Sequence, residues 1–162
     1  MKNNTLRIGA AALVTAFLAS TAHAEFRTTN LGVSATVEDN CTVSATSVAF
    51  GQLSASGSGD ETTAGNIEVI CTAEKPNVTV TLDGGQSADG SLRQMVSSGG
   101  ETVPYMLHSD AAHNETVGID GSIYTGPIRT AQPQNIAVYG QVPEGNYTAG
   151  SYADTVLVTL TY

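Results

Sequence analysis

The side chains best suited to chemistry in this 162-residue chain are two cysteines, three histidines and a spread of serines, threonines and carboxylates. His108, Asp110 and His113 stand close enough in sequence to suggest a metal site. They do not form the His-x-x-x-His pair of a helical site, and no cysteine or further histidine is near, so a polar turn after a strand explains them as well and no metal is expected. Nucleophilic catalysis fares no better, because the chain contains no Gly-x-Ser-x-Gly elbow. His23 falls in an apolar leader, which leaves two histidines to serve as a base. The Asp83-Gly84-Gly85 turn lacks the lysine and following helix of a phosphate cradle. With no set of nucleophile, base and orienting group, neither an enzyme nor a cofactor is expected.

Cys41 and Cys71 are the stronger signal, and the N-terminus says why. Lys2 and Arg7 precede an apolar run from Ile8 to Leu18, and Ala22-His23-Ala24 makes a small-residue cleavage site. Residues 1–24 therefore read as a secretory signal peptide, with a mature chain of 138 residues starting at Glu25. The apolar run is too short for a membrane anchor, so no membrane insertion is expected. In an oxidising compartment an even pair of cysteines in one small exported domain reads as a disulfide, against the blander alternative of two buried thiols. Loss of Lys2 and Arg7 takes the net charge from −9 to −11, which disfavours nucleic acid and anionic membrane surfaces as partners.

The elements that would position these groups are short strands. Leu31, Val33, Ala35 and Val37 alternate with Gly32, Ser34 and Thr36, placing their apolar side chains on one face of an extended segment from Phe26 to Val37. Such a strand either pairs within its own domain or leaves to pair with another copy. From Cys41 a second run points Val43, Ala45, Val48 and Phe50 inward, and Ser54 to Gly65 reads as a polar surface loop. Alternation resumes at Ile67-Val69-Cys71, Val78-Val80-Leu82, Leu92 to Val96, Val103-Tyr105-Leu107 and Gln134 to Val142. Between Ser109 and Gly126 only a short strand near Gly121 to Tyr124 is legible. Thr155 to Tyr162 alternates throughout, with Val156, Val158, Leu160 and Tyr162 on one face. Many short strands with Gly, Pro and Asp punctuation predict an all-β fold, a β-sandwich with Greek-key connections before a closed barrel. The tyrosines fit strand packing with the hydroxyl on a polar partner, Tyr152 as a corner residue, better than a sugar platform.

The ordered set Asn40-Cys41-Thr42-Val43, Phe50-Gly51, Ile67 to Cys71, Leu82-Asp83-Gly84-Gly85, Leu92-Arg93-Gln94-Met95, Tyr105 to Ala112, Val138 to Pro143 and Ala149 to Val156 resembles a spore coat protein U domain across the whole mature chain. That family includes subunits of archaic chaperone-usher pili. His113 departs from it, since members often carry Arg after Asp-Ala-Ala. The resemblance implies an immunoglobulin-like sandwich that lacks its last strand, spanning residues 37–162 behind a donor-strand extension at 25–36. A periplasmic chaperone would lend the missing strand, and at an outer-membrane usher the extension of the next subunit would replace it. Carried onto this sequence, the donor side chains are Thr29, Leu31, Val33 and Ala35; the acceptor edge is Val156, Val158 and Leu160, and the Tyr162 carboxylate is the chaperone's handle. The expected product is an extracellular fimbria serving surface adhesion and biofilm formation. Two alternatives are a surface-binding adhesin module and a self-complemented, secreted coat-like protein whose N-terminal segment fills its own groove.

Overall fold

The structure, a computed structural model, describes residues 25–53 and 59–162. The expected signal peptide and residues 54–58 lie outside the described residues. The chain divides after Ala35, and Thr36–Tyr162 form one compact unit. Its strands are β1 (Cys41–Ala45), β2 (Glu61–Cys71), β3 (Lys75–Leu82), β4 (Arg93–Ser97), β5 (Thr102–His108), β6 (Gly121–Ile128), β7 (Gln134–Val142), β8 (Tyr152–Ala153) and β9 (Val158–Thr161). No helix occurs among the described residues.

Two antiparallel sheets result, one ordered β1-β2-β7-β5-β4-β8 and the other β6-β3-β9. Period-two alternation makes the core: Ile67, Val69 and Cys71 of β2, Val78, Val80 and Leu82 of β3, and Val103, Tyr105 and Leu107 of β5 are all buried. Ile136 and Val138 of β7 join them, while Ile70 points outward. The β3–β6 ladder is irregular between Lys75 and Val78, where Pro76 and Pro127 lie in the gap. Neither can donate a ladder hydrogen bond, so pairing resumes only beyond them.

Four expectations need correction. The last strand, expected over Thr155 to Tyr162, covers only Val158–Thr161, because the residues before it cross between the sheets. Glu61 to Gly65, read as loop, begins β2 and pairs residue by residue with β7, from Glu61 opposite Val142 to Gly65 opposite Val138. Its polar composition hid a strand whose partner, not its own pattern, makes it extended. The strand near Gly121 is likewise longer, reaching Ile128. The alternation also points Val43 and Ala45 inward. They do share a face with buried Val69 and Ile67, their directly paired neighbours. Both are nevertheless exposed, because β1 is an edge strand and nothing described covers that part of the face.

Cys41 and Cys71 sit directly opposite each other on β1 and β2 and are joined as a disulfide, S–S 2.07 Å. The bond ties the edge strand to the core strand, with Cys71 fully buried. Replacing both cysteines by serine is expected to cost about 2–4 kcal/mol, since the link spans 30 residues of chain. Thermal melting of the variant against the oxidised chain reads this directly; an unchanged midpoint would contradict it.

Candidate functional site

A long open groove runs along the compact unit, with a volume of about 1060 Å³. One wall is the stretch 45–53, the other 147–156 with Val158; core side chains Ile67, Leu82, Met95, Tyr105, Leu107 and Val138 form the floor. Each wall has a local cause. Residues 46–50 lie across the inner face of β2 and β7, where Gly65 and Gly140 leave room: a Cβ on Gly65 would stand 2.9 Å from Val48 Cγ2, and one on Gly140 2.8 Å from Phe50 Cζ. Thr46 N–H donates to Asn66 O at 2.8 Å, and Thr63 Oγ1 donates to Ala49 O at 2.9 Å. The opposite wall carries tyrosines whose hydroxyls are bound to main chain: Tyr147 to Pro143 O and Tyr152 to Thr148 O, both at 2.6 Å. Tyr152 is therefore a corner residue of the expected kind.

β9 closes the three-stranded sheet on one side only. It pairs with β3 from Val158 opposite Leu82 to Thr161 opposite Thr79, and among the described residues its other edge has no partner strand. Val156 and Val158 line the groove, while Leu160 packs half-buried against the core. Tyr162 is half-exposed, with Lys75 Nζ 4.8 Å above its ring centre. The same lysine pairs with the Asp39 carboxylate. Beside it, Asn40 N–H donates to Thr72 Oγ1 at 2.9 Å and Thr72 Oγ1 donates to Glu38 O at 2.9 Å, so residues 38–40 are held firmly.

The segment ahead of that anchor forms no strand. Thr29 and Ala35 are exposed, and so are Phe26, Leu31, Val33 and Val37, at 84–90 %. A strand exists only in a ladder, so alternation without a partner leaves apolar side chains in water.

The chain matches the Spore Coat Protein U domain over residues 27–159. It belongs to that family. Among solved structures, a chain of the CsuC–CsuE chaperone-tip adhesion subunit pre-assembly complex, from archaic chaperone-usher Csu pili of Acinetobacter baumannii, has a similar fold. Its TM-score is 0.56 at 21 % sequence identity, over 78 % of this chain. The match spans 40 % of the length of that other chain. No curated protein matches.

In this spore coat U domain four of the motifs that carry the family resemblance, those holding Leu82–Gly85, Arg93, Tyr105 and Asp154, meet beside the groove. Arg93 is only 4 % exposed and spends its guanidinium on four main-chain carbonyls: Asp83 O at 2.8 Å, Val117 O at 2.6 Å, Leu82 O at 3.0 Å and Gly118 O at 2.9 Å. Burial lowers its pKa, and the phenol of Tyr105 with Asp83, Asp120 and Asp154 opposes that shift. Tyr105 donates its hydroxyl proton to Asp154 Oδ2 at 2.6 Å. Burial first, then this bond, pushes the phenol far above its ordinary range. Gly85 takes φ +77° in the turn against Asp154, a conformation in which a side chain is strained. Nothing in the alternation betrays this cluster, because its members are spread from Leu82 to Asp154.

His108 and His113 come together, ring centres 5.1 Å apart and edge to face, with His108 fully buried. Asp110 turns its carboxylate to the N–H groups of Glu115 and Asn114 instead, and the Glu115 N–H chiefly holds its pKa below the ordinary carboxylate range. Among the described residues no three His, Cys, Asp or Glu side chains assemble as a metal site.

Proposed function

We propose that this protein is a structural subunit of a surface fimbria of the chaperone-usher type, assembled by donor-strand exchange. One pairing of features carries the reading: a groove with an apolar floor beside the edge of β9 that no described strand pairs, and an exposed alternating segment at residues 25–37 that has no strand partner among the described residues. Main-chain bonds to the β9 edge would hold the incoming strand, and alternate side chains entering the groove would set its register. Thr29, Leu31, Val33 and Ala35 are the donor side chains; Val156, Val158 and Leu160 form the acceptor edge. Burying three or four such side chains stabilises the joint by roughly 4–8 kcal/mol, before any strand hydrogen bond.

The rest of the pathway follows from that joint. Residues 1–24 direct export and are removed; a periplasmic chaperone covers the groove and grips the Tyr162 carboxylate. An outer-membrane usher exchanges the chaperone for the next subunit, and the resulting fibre serves surface adhesion and biofilm formation. The Csu complex, a chaperone with a tip adhesion subunit, supports such a partner by its fold likeness alone.

An unheated gel of the purified, chaperone-free chain tests the reading. Ladders that collapse to monomer on boiling are expected. A single monomer band at every concentration would overturn it in favour of a chain that fills its own groove.

A further inference from the structure

The last limb of the chain changes sheets. β8 pairs with β4 in the six-stranded sheet, β9 pairs with β3 in the three-stranded one, and residues 154–157 between them belong to neither ladder. Yet Asp154, Thr155 and Val156 make up part of the groove wall. A bridge without ladder bonds needs another source of order.

The turn at 83–86 supplies it reciprocally. Leu157 N–H donates to Asp83 Oδ1 at 2.8 Å, and Asp83 N–H donates to Leu157 O at 3.1 Å. In return Gln86 N–H donates to Asp154 Oδ1 at 2.8 Å, while the other Asp154 oxygen takes the Tyr105 hydroxyl. Each carboxylate thus caps main chain of the opposite segment. A Cβ on Gly85 would overlap the Asp154 carboxylate, so turn and bridge touch without an intervening side chain. Tyr105 also lines the groove floor, which makes Asp154 the link between floor and wall.

We propose that Asp154 is a positioning residue of the strand-acceptor groove: through Tyr105 and Gln86 it holds the 154–157 wall at the place where an incoming β-strand must dock. The inference rests on the donor-strand reading. Charge-assisted bonds to a carboxylate are the stronger kind, and here they stand in for the ladder that the bridge lacks. Without them Val156 loses its fixed place in the wall, and the strand must order the wall as it binds, which slows association.

The test uses the full-length chain and a fluorescent synthetic peptide of residues 25–37, with association followed by anisotropy at subunit concentrations too low for ladders. Asp154→Ala and Tyr105→Phe are each expected to slow association at least tenfold, while hydrogen-exchange protection of β2 and β7 stays as in the unmodified chain. Tyr105→Phe keeps the ring in the floor and removes only the bond, so it separates positioning from packing. Smaller effects on association in both variants would overturn the inference alone. Equal loss of protection in β2 and β7 would overturn it too, by making Asp154 a support of the whole fold. An unmodified chain that never binds the peptide would sink the pilin reading and this inference with it.

Discussion

Val33→Asp is expected to abolish the ladders of the unheated gel. Val33 lies at the centre of the alternating face formed by Leu31, Val33 and Ala35, and is exposed in the single chain, so the substitution removes no contact there. In a joint between copies the same position enters an apolar groove. Losing a buried valine costs about 1.5–3 kcal/mol, and desolvating an unpaired carboxylate in its place adds several more. A total near 5 kcal/mol weakens the joint by more than a thousandfold. The variant keeps its own groove, so it should cap growing fibres: mixed with unmodified chain, it shortens ladders in proportion to its share. Its Cys41–Cys71 disulfide and β-rich circular dichroism should be unchanged. Ladders of unaltered length from Val33→Asp alone would refute the donor assignment.

Arg93→Met is expected to destabilise the domain by about 3–5 kcal/mol, since several buried carbonyls lose their donor at about 1–3 kcal/mol each. Its guanidinium gathers carbonyls from the end of β3, at Leu82 and Asp83, and from the loop at Val117 and Gly118. Methionine fills similar space but leaves those carbonyls without a donor. No carboxylate lies within salt-bridge distance of Arg93 among the described residues, so the loss is one of main-chain satisfaction and not of an ion pair. Set against a whole stability of about 5–15 kcal/mol, this lowers the melting midpoint by tens of degrees or prevents folding. Arg93→Lys should recover only part, because one ammonium cannot reach carbonyls on both segments with the planar fork. Melting of Arg93→Met within a few degrees of the unmodified chain would contradict the argument.

Where alternation is strong, the strands were legible. β3, β5 and β7 follow Val78-Val80-Leu82, Val103-Tyr105-Leu107 and Ile136-Val138, because one buried face imposes a period of two on the side chains. Glu61 to Gly65 escaped notice since its pairing with β7 depends on backbone groups, which every residue carries alike. Gly65 reads as the end of a loop and Gly140 as one more glycine within a strand; only their nearness to Val48 and Phe50 explains them. The alternation from Thr155 to Tyr162 is longer than β9 itself, Val158–Thr161. Thr155 to Leu157 alternate like a strand but cross between sheets, a distinction that depends on where β3 and β4 lie.

Composition, the cysteine pair and the spacing of apolar residues were enough to determine a small all-β domain, with a disulfide from Cys41 to Cys71 and an alternating segment ahead of it. Those are local properties, carried by side-chain chemistry and a two-residue period. Which face of β1 stays open, which edge of β9 has no neighbour, and how Asp83, Arg93, Tyr105 and Asp154 come to share one network were decided only in three dimensions. Each depends on contacts between residues tens of positions apart, and along the chain a polar group that will cap distant backbone looks the same as one that will face water.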